Sequence, residues 1–473
     1  MNPFLLLSCL LVFINLGSVQ FQGFTVHWQS PSSLNAFSET GIIKAPLQKS
    51  IHHPDKDKIL EKGVVKYSDF GALGDGKSND FESIVAAHAF ANENDLRVEG
   101  DSGAVYYIGG DDLTAIIKTN TDFGDATFII DDRSVENRHA SIFQVSSDFE
   151  PIAMQPLRSL TRNQEKINAR FTGTCLITVT NDNVMHYIRY GLNQNNGSPQ
   201  QDIFVVDAEG NVDMNAPIIW DFEEITEMVV LPIDQDTLTL TGGKFITIAN
   251  QEESRYNYYA RNIAIRRSNV VVDGLEHYIE GEGEQGAPYG GFLNISKCAY
   301  VTVKNTILTG HKTYRTIGSA GKPVSMGSYD LSVNNALNVS FIDCHQSNDI
   351  DDRTYWGILG SNYSKNLLYD RCVFSRFDAH KGVANATIRN STLGHMGINA
   401  IGSGVFLVEN STIRGGSIIN LRSDYGSTWQ GDIIIRNCTF VPLAGRETTP
   451  YLIRGSYSGQ HDFGYTCYMP EKI

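Results

Sequence analysis

Six copies of one short phrase constrain what this chain can fold into more than any other feature. Three of them read ATIRNSTLGH (386–395), FLVENSTIRG (406–415) and IIIRNCTFVP (433–442). VTVKNTILTG (301–310), VSFIDCHQSN (339–348) and LLYDRCVFSR (367–376) fit the same frame. Each copy is a short β-branched run, a corner residue, a small residue and a second short run. The corner is Asn305, Asp343, Arg371, Asn390, Asn410 and Asn437, at steps of 38, 28, 19, 20 and 27 residues. A loose period of that size marks a repeat architecture.

Runs of four or five residues are too short for helices, and their β-branched content favours strands. Asn or Gly follows each run where a βαβ unit would place a helix. A unit of about 20 residues cannot bury its own apolar face, but stacked units can, which predicts an all-β parallel β-helix. Asn suits the corner because it tolerates the left-handed region, and its amide can bond the Asn of the next coil. The next column, Thr306, Cys344, Cys372, Ser391, Ser411 and Cys438, predicts a tight internal stack of small side chains with free thiols.

Composition sets the outer bounds. A hydrophobic content of 41% with 43 Gly fits a β-rich globular chain. The net charge of −15 excludes generic nucleic-acid binding, which needs a basic face. None of the seven cysteines forms a CxxC pair, so zinc and thioredoxin-type readings have no support. Residues 1–22 hold an apolar run at 4–16 that is too short to span a bilayer and reads as a secretory signal peptide. No later stretch is long and apolar enough for stable membrane insertion, so the protein is expected to be secreted or extracellular.

Residues 23–63 read as an N-terminal extension. Residues 64–149 read as the cap and first coils, 150–235 as an inserted β subdomain, and 236–473 as the remaining coils and C-terminal end. The stretch VVKYSDFGALGDGKSNDFESIVAAHAFA (64–91) predicts a strand, a Gly-rich turn and a capping helix with Phe81, Ile84, Ala87 and Phe90 on its apolar face. GALGDGKS (71–78) also matches the phosphate-loop pattern, but no strand–helix alternation follows it, and Asp75 would repel a phosphate.

DFGALGDGKSND, a helix and then VYYIGG (105–110) resemble the N-terminal cap and first coil of the pectin-lyase-like superfamily. That resemblance implies a right-handed parallel β-helix. The superfamily includes polysaccharide lyases, polygalacturonase-type hydrolases and tailspike depolymerases. Between 150 and 235 the pattern changes to antiparallel strands with Asn196-Gly197 and Gly210-Asn211 turns. Eight Asn-x-Ser/Thr sequons occur, but Asn390, Asn410 and Asn437 are expected to be packed corners and poor glycan acceptors.

A third strand is expected in each coil at YWGILG (355–360), HKGVAN (380–385), GINAIG (397–402), IINLRSDY (418–425) and YLIRG (451–455). Its outer polar row would form the floor of a groove. Flanking loops carry Asp351, Asp352, Arg353, Tyr363, Asp378, Asp424, Tyr425 and Trp429. From 349 to 436 basic residues slightly outnumber acidic ones, which suits an anionic polymer against an otherwise acidic body.

β-Elimination from a uronic acid needs a base, a cation that holds the carboxylate, and a proton donor. His380 or Lys381 is the candidate base, Arg422 or Arg376 the candidate cation and Tyr425 the candidate acid, with Asp378 and His395 nearby. Arg353, Trp356, Tyr363, Asp424 and Trp429 are candidate substrate-binding residues. GHMGINAIGSG (394–404) resembles the His-containing motif of polygalacturonases. Here Asp378 is followed by Ala379 where that family has a second Asp, and Arg422 is followed by Ser423-Asp424 without the family's Lys. An inverting hydrolase needs carboxyls about 6.5–9.5 Å apart, for which Asp378 with Asp424 or Asp352 is the candidate pair. Asp351 and Asp352 in NDIDD (348–352) are candidate Ca2+ ligands. The expected function is cleavage of an acidic polysaccharide, with lyase ahead of hydrolase and a non-catalytic glycan-binding or adhesion role as the alternative class.

Overall fold

The computed structural model describes residues 54–188, 196–318, 323–422, 425, 428–443, 449–455 and 469–473. The expected leader and residues 23–53 of the extension lie outside the described residues. The rest of the extension holds a short helix, Lys56–Lys62, closed by Gly63 at φ 68°.

Beyond it the chain visits three parallel sheets in turn. The first sheet stacks Ala299–Lys304, Leu337–Ile342, Lys365–Asp370, 384–389, 403–409 and Trp429–Arg436. The second stacks Glu276–Glu280, Ile307–Leu308, His345–Gln346, 373–374, 392–393 and Thr412–Gly415. The third stacks Gly290–Ser296, Tyr329–Asn334, Leu359–Asn362, 376–381, 397–402 and Ser417–Leu421. A chain that returns to each sheet one strand further along forms a parallel β-helix. The strand expected at 380–385 is displaced: 376–379 pairs with 397–400, and Val383 pairs with Gly402 only after a shift of register.

The repeated corner joins the first sheet to the second. All six corner residues have φ between 49° and 54°. Arg389 pairs with Glu409 and Thr392 with Thr412, so Asn390 sits beside Asn410 in the adjacent coil. Their amides do not bond each other as expected. Asn390 instead donates to Asp370 at 3.0 Å, and Asn305 to Asp273 at 2.8 Å. An asparagine ladder exists in a different column, where Asn366 donates to Asn338 at 2.8 Å and Asn385 to Asn366 at 3.1 Å. Asn385 also accepts the Val405 amide at 2.9 Å and has φ 58°. Asn385→Ala is therefore expected to lower stability by about 2 kcal/mol in chemical denaturation, through two lost hydrogen bonds and left-handed strain.

The small-residue column is buried from Thr306 to Ser411 and half-buried at Cys438. The Cys372 amide donates to Ser391 Oγ and the Ser391 amide to Ser411 Oγ, at 3.0 and 3.1 Å. Cys344 and Cys372 are free. A thiol reagent applied to the native protein should label Cys438 first, and these two only as the protein unfolds.

Helix Phe81–Asn94 buries Phe81, Ile84, Ala87 and Phe90 against the core of the first coils. The phosphate-loop look-alike before it is closed by its own carboxylates. Asp80 accepts the Leu73 and Gly74 amides, and Asp75 accepts those of Lys77 and Ser78. Those four amides are therefore already used and are not offered to a phosphate.

Between Phe143–Val145 and Leu238–Ile248 the chain leaves the coils. Cys175–His186, Ser198–Val206 and Glu227–Pro232 form a three-stranded antiparallel sheet. It has its own apolar core around Ile177, Phe204, Phe222 and Val230. Buried Asp202 ties it to the coils through a 2.7 Å ion pair with buried Lys365.

Candidate functional site on the third sheet

Alternation decides what the third sheet shows on its outer face. Leu331 and Val333 point inward, which turns Ser332 and Asn334 outward. Phe377 and Ala379 are core residues, so Arg376, Asp378 and His380 take the other face. On that face a cleft of about 290 Å3 is lined by Tyr258, Tyr329, Ser332, Asn334, Asn362, His380 and Lys381.

An amide chain crosses the floor of the cleft. Asn334 Nδ2 donates to Ser332 Oγ at 2.7 Å, and Asn362 Nδ2 to Asn334 Oδ1 at 2.7 Å. Asn362 Oδ1 then faces His380 Nδ1 at 2.8 Å. An amide oxygen only accepts, so this contact selects the tautomer with the proton on Nδ1 and makes Nε2 the basic nitrogen. Behind His380, the Tyr425 ring packs edge-on at 5.8 Å, and Arg422 lies 5.4 Å over the Tyr425 ring.

The inserted subdomain reaches the edge of the cleft through Lys381 and Tyr363. Ser198 Oγ accepts Lys381 Nζ at 3.0 Å, and Lys381 lies 5.7 Å over the Tyr363 ring. Tyr187 packs 5.9 Å from Tyr363 and 6.2 Å from Tyr425. Burial pushes the hydroxyls of Tyr363 and Tyr258 well above the usual tyrosine range, so they stay neutral donors. Tyr258 donates to the Gly327 carbonyl at 2.9 Å.

Several residues expected in the groove lie elsewhere. Arg376 and Asp378 are buried and ion-paired at 2.6 Å, and Arg376 also stacks 5.3 Å over Trp356. Gly357 permits this packing, since a Cβ there would meet Arg376 Cδ at 2.2 Å. The pair props the floor and is not presented to a substrate. His395 is buried under the 349–355 loop, with Nε2 3.2 Å from the Tyr355 carbonyl, rather than beside His380. Trp429 is fully buried, 5.2 Å from Phe406 in the core, because it opens a first-sheet strand rather than a loop.

The NDIDD carboxylates are committed as well. Asp351 holds Arg414 at 2.5 Å, and exposed Asp352 accepts the Thr354 amide at 2.8 Å. Among the described residues no group of three His, Cys, Asp or Glu side chains is placed to hold a metal ion, and this loop does not form the expected Ca2+ site. Arg353 is exposed beside them, and Asp424 lies outside the described residues.

Sequence reasoning missed Tyr258, Tyr329, Asn334 and Asn362. It also missed a buried polar triad. Asp330 meets His277 Nδ1 at 2.8 Å and His311 Nε2 at 3.0 Å, and accepts the Thr309 amide at 2.8 Å. All three side chains are at most 2% exposed. Burial lowers the His277 pKa. Burial also pulls His311 down, but hydrogen bonds to Asp330 and Glu282 outweigh it and raise the pKa to about 9. For Asp330, burial is outweighed by the two histidines, which hold it at about 2. No substrate reaches this triad.

No family model matches the chain. A capsule KL64-specific depolymerase of a Klebsiella phage is 30% identical over 135 residues. The match covers 24% of the chain and only 13% of that phage protein. Among solved structures, the tailspike protein gp49 from Pseudomonas phage LKA1 is 11% identical, with a TM-score of 0.33 over 86% of this chain and 83% of that one. Endo-xylogalacturonan hydrolase from Aspergillus tubingensis is 11% identical, with a TM-score of 0.32 over 86% and 99% of the two chains. At such scores these two carry no weight for function, and the fold assignment rests on the strand register. Among the described residues no helix is long and apolar enough to cross a membrane.

Proposed function

We propose that the protein is an extracellular enzyme that degrades an acidic polysaccharide by β-elimination in the cleft on the third sheet. The observation that supports this most is His380. Its tautomer is set by the Ser332–Asn334–Asn362 chain, and it stands next to the Lys381 ammonium at the mouth of a tyrosine-walled cleft. In this reading His380 Nε2 removes the proton α to a uronate carboxylate. The β C–O bond to the leaving sugar breaks as the C=C bond forms, and His380 Nε2–H returns the proton to the departing oxygen. Lys381, held by Ser198, faces the charge that builds on that carboxylate. Tyr258 and Tyr329 give the sugar rings an apolar wall with polar tips. Tyr425, only 2% exposed, positions His380 instead of donating a proton as expected from the sequence, and Arg422 backs it. A right-handed winding, the usual hand of parallel crossovers, belongs to the same reading.

β-Elimination is favoured over inverting hydrolysis because no carboxylate lines the cleft among the described residues, and Asp378 is buried in its pair with Arg376. The likeness to a capsule depolymerase supports a capsular or other acidic glycan as substrate. The test is a panel of uronate polymers and acidic capsular polysaccharides, monitored by the absorbance of the unsaturated product. Growth of that signal is the expected result. Reducing ends without it would mean a hydrolase, and binding without either would mean an adhesin.

A further inference from the structure

A second cavity, of about 730 Å3, shares no lining residue with the third-sheet cleft. It lies at the root of the inserted subdomain. Residues 148–149 of the outgoing stem and 234–237 of the returning stem line it, together with Lys118, Thr119 and Asn120 at a coil corner. Its size is within the range of about 300–1,000 Å3 common for small-molecule sites.

We propose that this cavity is a second glycan-binding site, which takes a neutral sugar unit through its hydroxyls. Asp234 carries the argument. It is 7% exposed, and its Oδ1 receives Ser147 Oγ at 2.9 Å and Arg267 Nε at 3.2 Å, while buried Oδ2 has no partner. Thr119 Oγ1, also on the lining, is likewise buried and unpartnered. Two residues of the lining thus carry a buried polar atom that the protein itself leaves unsatisfied. A buried polar atom of that kind is costly, and a ligand hydroxyl both donates and accepts.

Charge narrows the ligand class. Lys118 is paired with Asp148 at 2.6 Å and Arg267 with Asp234 at 3.2 Å. The third lining cation, Arg97, is paired with Glu99 at 2.7 Å, so all three are already neutralised, unlike a site built for a uronate. Beside them Phe149, 51% exposed, offers a ring face for the C–H face of a sugar. A metal ion fits less well, because no cluster of three ligating side chains occurs among the described residues.

The proposal does not depend on the lyase reading. Isothermal titration of the full chain with maltohexaose, cellohexaose, mannohexaose, β-1,4-galactohexaose and hexagalacturonate tests it. At least one neutral hexasaccharide should bind, and Phe149→Ala and Asp234→Asn should each weaken it about tenfold or more. Phe149→Ala alters an exposed side chain, so it reads binding without disturbing the core, and His380→Ala should leave the affinity unchanged. Silence of every neutral sugar up to about 10 mM would overturn the proposal. So would binding that survives Phe149→Ala, or binding by hexagalacturonate alone.

Discussion

His380→Ala is expected to lower turnover on the true substrate by about 10²–10⁴-fold, the usual contribution of a positioned general base. The melting temperature should hardly change, because His380 sits on the outer face of the third sheet and the core beneath it is Phe377 and Ala379. The floor gives an internal control. Asn362→Leu removes the oxygen 2.8 Å from Nδ1 and with it the tautomer preference. A loss of about 10–100-fold is expected, as for other partners that orient a catalytic histidine. That variant should also shift the acid limb of the pH–rate profile, where the base becomes protonated, which a purely structural role would leave in place. Lys381→Met should lower kcat more than it raises KM, because charge grows on the carboxylate only in the transition state. Near-normal turnover in both His380→Ala and Lys381→Met would move the chemistry away from this cleft.

Asp330→Ala is expected to cost about 3–5 kcal/mol, the usual penalty for removing one partner of a buried ionic network. Without the carboxylate, His277 and His311 lose their shared acceptor while staying at most 2% exposed. The pH dependence follows from the pKa directions. Asp330 is held at about 2, so its contribution is complete above the unfolded value of about 3.9 and fades as pH falls toward 2. His311 is raised to about 9, so its contribution is complete below about 6.5 and fades as pH rises through 9. Neutral buried His277, with its lowered pKa, works in the opposite sense to His311 on the acid side. Urea melts across this range should show both limbs in the wild type and flatter limbs in the variant. Equal stability of the two proteins at pH 6 would remove the triad as a stability element.

The displaced strand explains which site residues were legible. His380 and Lys381 were visible as polar residues near a corner. The strand there begins at Arg376, four residues earlier than the spacing suggested, and bulges at Ser361/Asn362 shift its register. Trp429 read as a groove-loop residue and lies in the core because it opens a first-sheet strand, paired with Gly402. His395 was misplaced for a different reason. Adjacency in the stack depends on which loop covers a corner, and the 349–355 loop folds over that one.

The sequence by itself determined the repeat, its strands, its left-handed corners and its buried small-residue column. Those features arise from local backbone preference and nearest-neighbour stacking, which a few residues encode. Only the tertiary structure decided that Arg376 and Asp378 are used up by each other, that Lys381 is held by Ser198 from 183 residues away, and that Asp330 joins His277 to His311. These are pairings between distant segments, set by how coils stack and where the insertion docks. No local pattern records which charges meet, because desolvation and partner choice are properties of the assembled interior.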